Sequence, residues 1–221
     1  MENALVIGSS GGIGAALVAA LKGRGVATTA LSRREHGLDV TDEASVSQHL
    51  AALEGPFDLI LVATGALEIG GAAPEKTLKT LDPQAYLAQA ALNTLGPMLV
   101  LKHGLRLLPR DRPATFAALS ARVGSIGDNA LGGWYSYRSA KAALNQMLRT
   151  ASVELARSHR QLACVALHPG TVATPFTEAY LGRHPAVPPA EAAQNLLRVI
   201  DGLTPAQTGQ FFDWQGKAVP W

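Results

Sequence analysis

The sequence predicts a single α/β domain, a doubly wound parallel sheet of about seven strands with helices on both faces. Three observations support this fold class. The length of 221 residues suits one domain with a sizeable core. Short apolar runs alternate with helix-like segments along the chain. Residues 162–167 form a wholly apolar run, which is typical of a parallel strand buried on both faces. Strands and helices in this order require parallel pairing with crossover connections.

The predicted strands are short and apolar, and they cover residues 4–7, 26–31, 38–40, 59–62, 115–119, 162–167 and 209–213. Helical composition or periodicity marks residues 15–21, 43–53, 83–108 and 136–158. Residues 174–189 are rich in Pro and Gly and lack a clear period, so we expect a loop or short helical flap that covers a substrate.

Composition and charge narrow the function classes. Apolar residues make up 48% of the chain and charged residues 16%, which indicates a globular protein. The net charge of +2 is scattered, so no nucleic-acid partner is expected. Cys164 is the only cysteine, and no His, Asp and Glu cluster has metal spacing, so no disulfide and no metal are predicted. No secretory signal and no membrane-length apolar run is recognised, which predicts a cytoplasmic protein without membrane partners.

A glycine-rich turn, residues 8–14, joins the first predicted strand to the first helix and is called the glycine cradle below. Without Cβ atoms, its backbone can turn sharply and approach a pyrophosphate at the helix N-terminus. An ordinary tight turn would use similar glycines, but the strand–turn–helix context favours dinucleotide binding. The candidate residues are Gly8, Ser10, Gly11, Gly12, Ile13 and Gly14.

The second strand is followed by Ser32, Arg33 and Arg34, about where dinucleotide sites that prefer NAD place an acidic residue. An arginine fork can bind the additional phosphate of NADP, whereas a carboxylate would repel it. The sequence therefore predicts NADP(H) rather than NAD. The alternative is that both arginines only solvate the end of the strand.

Tyr137 and Lys141 lie four residues apart at the start of a predicted helix, so both side chains should project from one face, about 6 Å apart. A free phenol has a pKa near 10, and a neighbouring ammonium group lowers it. Lowering that pKa by about three requires roughly 4 kcal/mol of differential stabilisation. The pair is therefore a candidate for proton transfer near neutral pH.

With the glycine cradle and the YxxxK pattern, the chain resembles the short-chain dehydrogenase/reductase family over nearly its whole length. The stretch RVGSIGDNALGGWYSYRSAKAALN looks most like the carbonyl-reductase, C-factor-like branch. The resemblance implies a Rossmann-type fold with Tyr137 as general acid, Lys141 as ribose-binding and pKa-lowering lysine, and Asn93 in a proton relay. It also implies cofactor contacts from Asp39, Val40, Ala63, Thr64, Gly65, Pro169, Gly170, Val172 and Thr174. The family's signature after the fourth strand, two asparagines followed by Ala and Gly, appears here as Val62, Ala63, Thr64 and Gly65.

The catalytic serine of the family has two candidates. The family places it second in a pair of small residues after the fifth strand, where this chain has Ser120 and then Ala121. Ser120 follows the strand directly, where ligands lie in such sheets, whereas Ser125 matches the usual spacing to the tyrosine. We expect Ser120, with Ser125 as the alternative. A hydroxyl there would stabilise negative charge that develops on a carbonyl oxygen.

The resemblance implies NADPH-dependent reduction of a small-molecule carbonyl substrate, an aldehyde or a ketone. Two alternatives remain, a 3-oxoacyl thioester reductase and a non-catalytic dinucleotide-binding regulatory or signalling protein. The family usually forms dimers and tetramers, so we expect a homodimer or homotetramer that associates through the long helix containing Tyr137.

Overall fold

The computed structural model describes residues 1–174 and 186–221. Within them a parallel sheet of six strands has the order β2-β1-β3-β4-β5-β6. The chain therefore leaves β1 towards both edges of the sheet, and ligands of such sheets bind at the carboxyl ends of the strands beside this switch point. The strands are β1 (Asn3–Ile7), β2 (Ala27–Leu31), β3 (Leu59–Val62), β4 (Ala114–Leu119), β5 (Leu162–His168) and β6 (Phe211–Asp213).

Seven α-helices flank the sheet in the described part of the chain: α1 (Gly12–Gly23), α2 (Arg33–His36), α3 (Glu43–Ala51), α4 (Pro83–Ala90), α5 (Gly96–Gly104), α6 (Tyr135–Leu155) and α7 (Pro189–Asp201). A π-helical turn, Ala91–Leu95, joins α4 to α5. Short 3-10 turns cover Leu78–Thr80, Leu105–Leu107, Arg122–Gly124 and Pro205–Gln207. None of these helices is both long and apolar enough to cross a membrane.

The core has two layers, one on each face of the sheet. Side chains alternate along β1, so that Val6 packs with Leu17 and Leu196 on the side of α1 and α7. Ile7 faces the opposite side, where Val100 and Leu144 contribute from α5 and α6. Helices on both faces of a parallel sheet confirm the predicted fold class.

The predicted strand at residues 38–40 is wrong. Leu38 and Val40 are buried in the core, which accounts for their apolar character. The chain does not pair there, because the Asp39 carboxylate accepts hydrogen bonds from the backbone amide and the hydroxyl of Thr41, at 2.9 and 2.7 Å, and closes a turn. The other six predicted strands are observed within two residues of their expected ends. The helical span predicted for 83–108 contains α4, the π-turn and α5, and that for 136–158 is α6. Most of the expected flap, residues 175–185, lies outside the described residues.

Candidate active site

The glycine cradle lies between β1 and α1, and its shape requires glycine. Gly8 has a φ of +89°, and a Cβ there would lie 2.9 Å from the carbonyl carbon of Ala63. A Cβ on Gly14 would overlap the carbonyl oxygen of Gly8. Gly11, the residue before α1, provides no side-chain cap, so the N-terminus of that helix has room for an anionic group.

Two buried hydroxyl groups, one within the cradle and one beside it, have no hydrogen-bond partner among the described residues. They are Oγ of Ser9 and Oγ1 of Thr64, which follow β1 and β3 respectively. Buried polar groups are rarely left unpaired, so these hydroxyls fit a polar ligand such as a dinucleotide at the switch point. Thr64 was expected from the family resemblance, whereas Ser9 was missed because the motif points to its glycines.

Arg34 links the end of β2 to the cradle, since its guanidinium group donates to the carbonyl oxygen of Ser10 at 3.0 Å. The Arg33 side chain is largely exposed and lies 4.0 Å from the Asp39 carboxylate. Hydrogen bonds from Thr41 lower the pKa of that carboxyl group below its ordinary value, so it is ionised beside Arg33. Ser32 has a structural task, because its hydroxyl caps α2 by accepting from the backbone amide of Glu35.

The first two turns of α6 bring Tyr137 and Lys141 together on its buried face. Lys141 is 2% exposed and Tyr137 6% exposed. Nζ of Lys141 lies 5.8 Å from the centre of the phenol ring. The same nitrogen donates to the carbonyl oxygen of Leu119 at 2.8 Å, which fixes it at the carboxyl end of β4.

Burial determines the protonation of this pair. It lowers the pKa of Lys141 to about 7 and raises the pKa of Tyr137 above its ordinary value. A lowered phenol pKa was expected from the neighbouring lysine, a cationic nicotinamide and a dry pocket, but in the protein alone desolvation raises it. The phenol is therefore protonated at neutral pH and can donate a proton. Lys141 is near the midpoint of its titration at neutral pH, so it can either donate or accept a proton.

Asn93 lies in the π-turn, which directs its side chain towards the loop after β3. Its Nδ2 donates to the carbonyl oxygen of Ala66 at 2.9 Å and to Oε1 of Gln89 at 2.6 Å. A Cβ on Gly65 would lie 2.9 Å from Oδ1 of Asn93 and 3.5 Å from Nζ of Lys141. Three predicted site residues therefore converge at this point, and π-turns within helices often mark functional sites.

The two serine candidates differ in their hydrogen bonds. Oγ of Ser120 donates to Oδ1 of Asn145 at 2.7 Å, and both side chains are buried. A hydroxyl has one proton, so Ser120 cannot donate to a ligand while this bond persists. Oγ of Ser125 accepts from the backbone amide of Asp128 at 3.2 Å, and among the described residues no group accepts its proton.

The remaining predicted contacts lie around the same end of the sheet. Pro169 and Gly170 follow β5 directly, and a Cβ on Gly170 would lie 2.9 Å from the Trp214 ring. Val172 is buried, and Thr174 approaches the start of α1 so closely that a Cβ on Gly12 would lie 2.7 Å from its methyl group.

A small pocket opens beside Tyr137, and sequence reasoning missed most of its lining. Its polar side chains are Glu75, Gln89, Ser136 and Tyr137, and its apolar lining comes from Leu67, Ile69, Ala72, Ala73, Pro74 and Ala85. Most of these residues belong to an irregular segment between β3 and α4, where periodicity gives no signal.

A cradle at the switch point, with a buried tyrosine–lysine pair at the carboxyl end of β4, places the protein among Rossmann-type oxidoreductases. The family model described as "short chain dehydrogenase" matches residues 2–183. The chain therefore belongs to this family, as the sequence predicted.

Curated relatives and solved structures agree with this assignment. The chain is 34% identical over 193 residues to 1-hydroxy-2-glutathionyl-2-methyl-3-butene dehydrogenase of Rhodococcus sp. (strain AD45), covering 85% of this chain and 80% of that protein. It is 35% identical over 167 residues to the C-signal of Myxococcus xanthus, covering 76% and 94%. The structure of carbonyl reductase Sniffer of D. melanogaster superposes with a TM-score of 0.86 over 100% of both chains, at 23% identity. An NADPH-bound carbonyl reductase from chicken fatty liver gives 0.85 over 100% and 94%, at 24% identity, and both likenesses concern the fold.

Proposed function

We propose that the protein reduces a small aldehyde or ketone to an alcohol with NADPH. The observation that carries this proposal is the buried pair of Tyr137 and Lys141, which lies beside Asn93 and Gly65 at the end of the sheet that holds the glycine cradle. A neutral phenol in a pocket of modest size suits proton donation to a small carbonyl oxygen.

The cradle, the unpaired hydroxyls of Ser9 and Thr64, and the charges of Arg33 and Arg34 would hold the cofactor. When bound, the nicotinamide supplies a hydride for the carbonyl carbon. An arginine pair in place of the acidic residue of NAD sites supports a preference for NADPH.

In this mechanism Tyr137 gives its phenolic proton to the carbonyl oxygen, so that the phenol O–H bond breaks as the O–H bond of the alcohol forms. Lys141, with a pKa of about 7, restores the proton to the phenolate at little free-energy cost. A serine hydroxyl stabilises charge on the oxygen as it develops. Ser120 is favoured for this role by its position directly after β4. Ser125 is favoured because, among the described residues, its hydroxyl proton is not engaged in a hydrogen bond. The expected homodimer or homotetramer, with contacts through α6, is also a proposal.

Cofactor binding followed by turnover tests the proposed reaction. We expect NADPH to bind more tightly than NADH and to be oxidised with members of a panel of aldehydes, ketones and quinones. Tyr137→Phe should lower kcat by about 100-fold or more and leave the NADPH Kd within about twofold, because only the proton donor is lost. Retained turnover in this variant would remove Tyr137 from the mechanism. In the same assay, Ser120→Ala and Ser125→Ala show which hydroxyl assists.

A non-catalytic signalling role is the competing proposal, which the likeness to a relative named C-signal favours. NADPH binding without oxidation across the whole panel would support it. Measurable turnover that depends on Tyr137 would reject it.

A further inference from the structure

Glu75 is a buried carboxylate beside the proposed proton donor. It is 7% exposed and lines the same pocket as Tyr137. Within residues 1–174 and 186–221, no Lys, Arg or His forms an ion pair with it. A buried charge without a basic partner is costly to retain, so its hydrogen bonds and its location need an explanation.

In the part of the chain that the structure describes, Glu75 makes its hydrogen bonds to Trp134 and Ser136, at the N-terminus of α6. One carboxylate oxygen accepts from the Ser136 hydroxyl, and the other accepts from the backbone amide of Ser136 at 3.2 Å. The carbonyl oxygen of Glu75 accepts from the backbone amide of Trp134 at 2.6 Å. Trp134 has a φ of 54°, a left-handed conformation that a bulky residue rarely adopts. Glu75 therefore replaces the missing side-chain cap of α6 and holds the strained residue that precedes it.

Resting on the function proposed above, we infer that Glu75 is a positioning residue that fixes Tyr137 at the start of α6 and favours its protonated, proton-donating form. Tyr137 is the residue after Ser136, so the clamp sets where the phenol enters the pocket. Among the described residues, Lys141 on the same helix lies over the phenol ring and Glu75, on the segment before α4, lines the same pocket, whereas Gln89 of α4 and Asn93 of the π-turn are neutral. A negative charge disfavours the phenolate, opposite to the effect of the Lys141 ammonium.

The variant Glu75→Gln tests this role, because it keeps the size and one acceptor oxygen but removes the charge. A fluorinated tyrosine placed at position 137 ionises in an accessible pH range, and its 19F resonance reports the ionisation without turnover. Glu75→Gln should lower its midpoint by about one pH unit. With native Tyr137, the same variant should lower kcat about tenfold and leave the NADPH Kd unchanged.

Asp58→Asn provides a control for loss of a hydrogen-bonded carboxylate away from the pocket, although Asp58, unlike Glu75, also pairs with Arg112 at 3.0 Å. The Asp58 carboxylate accepts from the backbone amides of Glu2 and Asn3, at 2.6 and 3.2 Å, at the opposite end of the sheet. The Asp58→Asn variant should change the free energy of unfolding and leave both the 19F midpoint of the fluorinated tyrosine and kcat unchanged. If Glu75→Gln behaves like Asp58→Asn, Glu75 is only a structural cap and the inference is overturned.

If Glu75→Gln does not fold, Ser136→Ala decides, since it removes one half of the clamp and keeps the charge. A lowered kcat at an unchanged NADPH Kd supports the clamp, and wild-type kcat rejects it. Failure of the proposed function would give a different result. If Glu75→Gln shifts the 19F midpoint but the protein reduces no carbonyl compound, the role of Glu75 stands and the proposed reaction is rejected.

Discussion

Arg33 and Arg34 occupy different positions at the end of β2, and this difference predicts different effects on cofactor choice. Arg33 is largely exposed beside Asp39, whereas Arg34 is bonded to the cradle through Ser10. Arg33→Ala should weaken NADPH binding about tenfold and change NADH binding little, because a charge-assisted hydrogen bond to the additional phosphate is lost. Arg34→Ala should weaken the binding of both NADPH and NADH, since it also removes the hydrogen bond that holds the cradle at Ser10. Isothermal titration with each cofactor measures this.

Arg24→Ala is the control for loss of an arginine. Its guanidinium group pairs with Asp201 at 2.8 Å, where α1 ends and away from the cradle. Both cofactors should bind this variant as they bind the wild type. Equal losses of NADPH and NADH affinity in Arg33→Ala would contradict the assignment of that residue to the additional phosphate.

At the level of elements, the sequence predicts strands well where burial and pairing coincide. Residues 59–62 are apolar because β3 lies in the centre of the sheet, and the prediction matches both of its ends. At residues 38–40 the apolar side chains of Leu38 and Val40 are also buried, but there burial occurs without pairing. The π-turn at Ala91–Leu95 is also hidden from sequence periodicity, because a local change in the hydrogen bonding of a helix leaves the apolar spacing of α4 and α5 almost unaltered.

The π-turn is joined to α6 by a buried hydrogen bond, in which the Thr94 hydroxyl donates to the carbonyl oxygen of Ala140 at 2.7 Å. Thr94→Val keeps the shape and removes the donor, so it should lower the free energy of unfolding by about 1 kcal/mol. Thr150→Val is the control, because that hydroxyl bonds within α6 on an exposed turn and should matter by less than about 0.5 kcal/mol. Urea unfolding measures both variants. Equal effects would show that the buried link does not stabilise the fold.

Across the whole molecule, sequence reasoning finds those parts of the site that depend on local spacing. The glycine cradle and the four-residue interval from Tyr137 to Lys141 are visible because one turn and one helix contain them. Glu75 and Ser9 are not, because their significance depends on burial and on contacts between distant segments. The protonation of the pair likewise follows from desolvation by the folded protein, which no local pattern encodes.

Desolvation also makes the stability of the whole molecule depend on pH through His168. Burial lowers the pKa of this histidine from 6.5 to about 4, the Arg122 charge adds to the effect and Asp213 opposes it. The unfolded chain therefore binds a proton between about pH 6.5 and 4 that the folded chain does not, so the free energy of unfolding falls as the pH falls through this window. The loss amounts to about 3 kcal/mol. Urea unfolding from pH 7.5 to 4.5 measures the free energy of unfolding of the wild type and of His168→Asn. Any advantage of the wild type over the variant should shrink or reverse as the pH falls. Two parallel profiles would show that His168 is accessible to protons in the folded protein.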